Sequence, residues 1–170
     1  MSRFVTIFAI TLLALFSLEM LDSVQQAVIQ PFTGLLATLS ASMIIPFDDA
    51  VVASGRVIEH TTNQFAVSIE AGCNGVEAAI VLIAAVAAFP ATLWQKCGAI
   101  VVGFLAIQVM NLLRIISLFY LGQWNLDIFT WTHLYLWPVL IMLDVLIVFI
   151  LYLRYLNRVD GDIAIDTAAA

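Results

Sequence analysis

Residues 70–86 read EAGCNGVEAAIVLIAAV and decide the fold, because a small-residue turn passes directly into a long apolar run. The turn carries Cys73 between Gly72 and Asn74, and the run after Glu77 contains no charge. An uncharged run of this kind is typical of a helix that lies in lipid. We therefore interpret Cys73 as the point where a polar loop enters an apolar bundle.

The composition of the whole chain agrees with that interpretation. Of its 170 residues, 64% are hydrophobic and 11% are charged, whereas soluble domains are nearly half apolar and about a quarter charged. The sequence therefore predicts an all-α integral membrane helical bundle, surrounded by membrane lipid. The net charge of −6 leaves no basic surface, which excludes a nucleic-acid partner.

The apolar runs favour four membrane-spanning helices. They cover residues 4–21, 74–93, 98–121 and 132–155. Residues 32–47 are also apolar and are bracketed by Pro31 and Pro46, but they would make only about 24 Å of helix. We expect them to form a re-entrant or interfacial helix, with a fifth crossing as the alternative.

The remaining segments complete a single domain. Residues 48–71 alternate polar and apolar positions around a turn, which predicts a small β-hairpin outside the lipid. Residues 1–158 should form one membrane-embedded domain, and residues 159–170 a disordered cytoplasmic tail. The positive-inside rule places both termini in the cytoplasm and the hairpin on the opposite face. The charges that carry this orientation are Arg3, Lys96, Arg154 and Arg158.

Three chemically active residues fall at one depth. Counted along ideal helices from the cytoplasmic charges, Cys73, Arg114 and His133 lie at about 35, 27 and 32 Å. They are far apart in sequence, so the periodicity of one helix does not explain the coincidence. We expect all three near the extracytoplasmic face.

Each of the three has a functional and a structural interpretation. Cys73 at a helix N-terminus should have a lowered thiol pKa and act as a nucleophile, or it is a small packing residue. Arg114 within a span should stabilise a thiolate or an oxyanion, or it forms an ion pair with Glu77. His133 should take and return protons, or it anchors the helix at the interface.

Other polar residues are expected to support this site. Asn111 lies one turn from Arg114, and Gln108 continues the same polar strip toward Asp144. The two cysteines, Cys73 and Cys97, should be about 36 Å apart, too far for a disulfide. The sequence contains no ligand cluster for a metal, and we expect no cofactor.

With these residues assembled, the chain resembles the exosortase/archaeosortase family of membrane transpeptidases, most closely the exosortase H subfamily. The likeness rests on residues 71–75, AGCNG, in place of the family's usual A-C-S-G turn. It also rests on residues 111–114, NLLR, matching an N-x-x-R segment, and on His133 after the next loop. It covers about residues 50–155.

This resemblance implies a catalytic set of Cys73, Arg114 and His133. We expect Arg114 and the backbone N–H groups of Asn74 and Gly75 to meet the oxyanion. It implies a bacterial inner-membrane enzyme whose active site faces outward. Its partners would be exported proteins with a C-terminal tripartite sorting signal, cut through a cysteine thioester and passed to an acceptor. The sequence leaves two alternatives: a membrane cysteine acyltransferase and a non-catalytic subunit or small transporter. The transporter would use a buried polar relay of Glu77, Arg114, Asp144 and Gln108.

Overall fold

The computed structural model describes the backbone of residues 2–169 and the side chains of residues 3–159. Seven helices and three strands make up this part of the chain. The helices are α1 Ser2–Glu19, α2 Asp22–Val24, α3 Gln30–Ile44, α4 Val76–Ala88, α5 Leu93–Trp124, α6 Leu126–Trp131 and α7 Trp137–Ala169. The strands are β1 Val51–Ser54, β2 Val57–His60 and β3 Ala66–Ser68.

The helix that contains residues 32–44 is longer than the sequence indicated. A π turn over Gln25–Ile29 joins α2 to α3, so one helix runs over Asp22–Ile44 for 23 residues. This is long enough to cross a membrane, and the length argument for a re-entrant helix over residues 32–47 was wrong. Proline usually interrupts a helix, so Pro31 indicated a helix start. In the structure Pro31 follows the π turn at the first positions of α3, and the helix continues through it.

Among the residues that the structure describes, three helices are long and apolar enough to cross a membrane: Asp22–Ile44, Leu93–Trp124 and Leu126–Val159. The predicted span over residues 74–93 is instead the 13-residue helix α4. At 1.5 Å per residue α4 covers only about 20 Å, so the predicted count of four to five spans is not confirmed. The mainly helical, membrane character is confirmed, since most of the described residues lie in helices and the only sheet among them is small.

The segment between α3 and α4 forms a three-stranded antiparallel sheet in the order β1-β2-β3. The sequence predicted two strands about a turn, over residues 51–60 and 65–70, and it missed that a second turn at Gly55 and Arg56 divides the first of them into β1 and β2. Val51 and Ile58 of the sheet are buried against α3 and the C-terminal half of α5. The sheet therefore covers one end of the bundle.

The core is divided between the two ends of the bundle. One cluster joins α3, the sheet and Phe119 of α5. The other joins α4, α5 and α7 around Leu82 and Val145. The loop that contains Cys73 lies between them, where the chain leaves β3 and enters α4.

The last helix is assigned through Ala169, whereas the sequence predicted a disordered tail over residues 159–170. Side chains after Val159 lie outside those that the structure describes. The predicted tail stays a prediction.

Candidate active site

The turn before α4 depends on a glycine at residue 75. Gly75 has φ +77°, in the left-handed region that favours glycine. A Cβ at this position would lie 3.0 Å from Nε2 of Gln108 and 3.3 Å from Cγ2 of Ile107. The turn thus packs directly on α5, which fixes the height of Cys73 relative to that helix.

Two charged side chains form hydrogen bonds with the backbone of Gly72, the residue before Cys73. The backbone N–H of Gly72 donates a short hydrogen bond to Oε1 of Glu77, and Nη1 of Arg114 donates to the carbonyl oxygen of Gly72 at 3.2 Å. Glu77 and Arg114 form no direct ion pair within 4.0 Å. The ion pair considered from the sequence was wrong, because Glu77 binds the turn backbone instead.

The structure brings Cys73, Arg114 and His133 together. Nη2 of Arg114 lies 3.5 Å from Sγ of Cys73, and Nε2 of His133 lies 3.9 Å from the same sulfur. Both distances are within hydrogen-bonding range for sulfur. Three segments separated in sequence therefore converge on one thiol.

His133 is presented by an irregular turn. Residues 126–159 form one long helix that is interrupted at Thr132–Leu136 by a π turn. Widened turns of this type are frequent at functional sites, since they redirect one side chain without ending the helix. The imidazole stacks on Phe129, with ring centroids 5.7 Å apart and planes 3° apart. This contact orients Nε2 toward the sulfur.

The protonation state of Cys73 differs from the sequence prediction. Burial raises the pKa of the Cys73 thiol above its ordinary value, Arg114 opposes that shift, and Glu77 adds to it. The predicted lowering by a helix N-terminus was wrong, since α4 begins only at Val76. At neutral pH the sulfur is a thiol, and a base must remove its proton before it can act as a nucleophile.

Arg114 carries a buried charge without a carboxylate partner. Its residue is 6% exposed, and among the described side chains no Asp or Glu lies within 4.0 Å of its guanidinium. Its Nε atom has no hydrogen-bond partner. Since an uncompensated charge inside a membrane protein is costly, a negative charge beside the thiol would be stabilised by Arg114.

Asn74 and Asn111 support the turn from within the bundle. Both side chains are fully buried, at 0% exposure. Asn74 accepts a hydrogen bond from the N–H of Val76 at 3.0 Å and so closes the turn into α4. Asn111 lies beneath Gly75 on α5, one turn before Arg114. The N-x-x-R spacing thus places Asn111, which contacts the Gly75 turn, and Arg114, which contacts Cys73, on the same face of α5.

A cleft of about 420 Å³ opens beside Cys73. Arg114 and His133 line it, and β3 forms one side. The lining includes neither Asn74 nor Gly75, whose backbone N–H groups were expected at the oxyanion. The other lining residues are Phe65, Ala66, Val67, Ser68, Ile69, Glu70, Ala71, Ile115, Leu118, Leu126 and Phe129.

The other candidate groups do not join this cleft. His60 lies in the sheet, 3.4 Å from Asp48. Asp144 has a buried oxygen without a partner and is outside the cleft lining. Among the described side chains, no group of three or more His, Cys, Asp or Glu could hold a metal.

Sequence reasoning missed the roles of Gly72 and Phe129, and it did not place β3 beside the cleft. The carbonyl of Gly72 and the ring of Phe129 act through local geometry, which residue type does not reveal. The spacing of Phe129 and His133, four residues apart on a helix, could have indicated their contact.

Comparison with known protein families identifies the family of this chain. The family described as "Transmembrane exosortase (Exosortase_EpsH)" matches residues 2–153. The chain belongs to the transmembrane exosortase family. This confirms the resemblance seen in the sequence, and the match covers most of this exosortase. Comparison with curated proteins and with solved structures finds no match.

Proposed function

We propose that this exosortase is a cysteine transpeptidase that cuts the C-terminal sorting signal of exported proteins through a thioester on Cys73. The observation that carries the proposal is the buried guanidinium of Arg114, which has no carboxylate partner and lies 3.5 Å from the sulfur. A thiolate or an oxyanion at this position would supply the missing negative charge. Preorganised charge in a dry site is a strong form of transition-state stabilisation.

Acylation begins with proton transfer from the Cys73 thiol to Nε2 of His133. The sulfur then attacks the carbonyl carbon of the scissile peptide bond, and the carbonyl π electrons move onto oxygen. Collapse of this oxyanion breaks the C–N bond, and the imidazolium of His133 protonates the departing amine. The products are a thioester on Cys73 and the released C-terminal segment.

Deacylation reverses the roles. An acceptor nucleophile or water gives its proton to His133 and attacks the thioester carbonyl. The sulfur leaves as the thiolate, which Arg114 stabilises until His133 returns the proton. Arg114 is the oxyanion donor best supported at the cleft, and any contribution from Asn74 and Gly75 would be additional.

The substrates we propose carry a tripartite tail of a short motif, a hydrophobic helix and basic residues. The helix would lie in lipid, and the motif would reach the cleft at the membrane surface. Lys96 near the start of α5 and Arg154 and Arg158 late in α7 lie at the opposite helix ends from this cleft, which favours the extracytoplasmic face of a bacterial inner membrane for it. Exported proteins would meet the enzyme there.

The test is coexpression with exported proteins that carry such a tail. Wild type should yield a shortened C-terminus by mass spectrometry, Cys73→Ala should leave the tail intact, and the control Cys97→Ala should process as wild type does. Equal amounts of each variant in the membrane exclude a folding defect. If Cys73→Ala and wild type give the same C-terminus, the proposal fails.

The two alternatives predict other results. A polar relay requires contact among its members, yet Glu77 binds Gly72 rather than Arg114, and Asp144 keeps an oxygen without a partner. That geometry favours the enzyme. An acyltransferase would share the thioester chemistry, and it differs in carrying a lipid acyl group on Cys73 rather than a peptide.

A further inference from the structure

The cleft has a free sheet edge along one side. In an antiparallel pair, alternate residues direct both backbone groups toward the partner strand. His60 donates to the carbonyl of Phe65, and Ile69 donates to the carbonyl of Arg56, each at 2.9 Å. Phe65 and Ile69 therefore face β2, and Val67 between them does the same.

Ala66 and Ser68 have the opposite orientation. They alternate with the residues that face β2, so their backbone N–H and C=O groups point away from the sheet. β3 is the last strand in the order β1-β2-β3. No hydrogen bond to these four backbone groups occurs within the part of the chain that the structure describes. The edge is therefore a row of unpaired donors and acceptors.

This edge and the nucleophile share one cavity. Ala66, Val67, Ser68 and Cys73 all line the 420 Å³ cleft. An unpaired strand edge is a template for an extended peptide, which pairs its own backbone groups with those of the edge. A peptide held in this way would lie in the same cleft as the sulfur.

We propose that the substrate segment next to the scissile bond binds by adding a fourth strand to β3. This rests on the proposed function. The bound residues should be those on the N-terminal side of the cut, because the C-terminal side continues into the lipid. They would also stay paired with β3 while the acyl group is on Cys73, which keeps the thioester in place until the acceptor arrives.

Backbone pairing with β3 would fix the register and direction of a bound peptide, which the side chains of the cleft do not. Its lining is largely apolar, with Leu118, Leu126 and Phe129 on the helical side. Such walls reject buried charge but fix neither the register nor the direction of a peptide. Hydrogen bonds to Ala66 and Ser68 would fix both.

The sheet offers a matched pair of substitutions. Ala66 and Ala53 are both exposed, and both direct their backbone groups away from β2, but on opposite edges of the sheet. Ala53 does not line the cleft. Proline at either position removes one N–H while leaving the pairing with β2 intact, and edge strands tolerate proline.

The test compares Ala66→Pro with Ala53→Pro, using a coexpressed exported protein with a tripartite tail as the probe. Ala66→Pro should process it about tenfold more slowly, since a lost hydrogen bond and the proline ring both weaken pairing. Ala53→Pro should match wild type. Equal rates for the two proline variants would overturn strand addition.

Iodoacetamide labelling of Cys73, in a Cys97→Ala background, checks that Ala66→Pro keeps an intact site. If that variant misfolds, N-methylated peptides provide a second measurement. Short synthetic peptides from the cleavage site should protect Cys73 from labelling, and N-methylation should abolish protection at every second residue. Loss of protection that does not alternate between successive N-methylated residues would contradict the proposal. Failure of the catalytic proposal is distinct, because it would show as processing by Cys73→Ala.

Discussion

Each end of the helical bundle carries one cysteine, and the two environments differ. Cys73 is half-buried, with a guanidinium at 3.5 Å and an imidazole at 3.9 Å. Cys97 is exposed in the second turn of α5, and among the described residues its sulfur has no hydrogen-bond partner. The two thiols therefore differ in their neighbours, because separate elements place an imidazole and a guanidinium beside Cys73 and, among the described side chains, neither beside Cys97.

The largest effect should come from removing the base at the Cys73 end. His133→Gln retains a polar side chain but cannot accept and return the proton, so processing should fall about 10²- to 10⁴-fold. The rate of tail cleavage in membranes measures this. His60→Gln is the control, because His60 lies in the sheet beside Asp48, and it should process as wild type does. Equal losses in both variants would show that histidine removal acts through folding.

Removing the cation should have the next largest effect. Arg114→Gln should slow processing about 10²- to 10³-fold, as expected for loss of an oxyanion donor. Arg114→Lys keeps the charge but cannot bridge Gly72 and the sulfur with one planar fork, so its rate should fall between those of Arg114→Gln and wild type. Single-turnover rates distinguish the variants. Wild-type rates for Arg114→Gln would remove the central support for the mechanism.

A glycine lies close to each cysteine, so substitutions of these glycines compare how tightly the two ends of the bundle are packed. Gly75→Ala forces a left-handed residue against Gln108 and Ile107, so it should lower stability by about 1–2 kcal/mol and displace Cys73. Gly98→Ala, beside Cys97, places its Cβ where no atom lies within 4 Å, so the better helix former should be neutral or stabilising by at most about 1 kcal/mol. Thermal unfolding in detergent measures both. Equal stability of the two variants would mean that the Gly75 turn is not fixed by packing.

The smallest effect should appear in the thiol itself. Since burial raises the pKa of Cys73, its labelling rate should keep rising with pH beyond the range of an ordinary thiol. Glu77→Gln removes a negative charge that raises this pKa, so labelling at pH 8 should become a few times faster. Cys97 is the internal control and should not change. Slower labelling of Cys73 in Glu77→Gln would show that the carboxylate acts mainly by holding Gly72.

The sequence was sufficient to predict the membrane bundle and to select Cys73, Arg114 and His133 as candidates. Composition and the cost of a buried charge are properties of residue type, and the depths of Arg114 and His133 follow from counting along their helices. The count for Cys73 assumed a helix over residues 74–93, whereas α4 ends at Ala88. The continuation of a helix through Pro31 and the positions of the π turns were not predictable, because backbone irregularities depend on tertiary packing. The same limit applies to the division of residues 51–60 into β1 and β2, since short strands are decided by pairing partners rather than by their own residues.

The thioester itself tests the central claim most directly. Wild-type enzyme incubated with a tailed substrate and no added acceptor should carry a peptide acyl group on Cys73, detected by mass spectrometry and released by hydroxylamine. His133→Gln should accumulate little of it, and Cys97 should carry none. Cleavage of the tail without any acyl group on Cys73, at times when turnover is incomplete, would contradict the account.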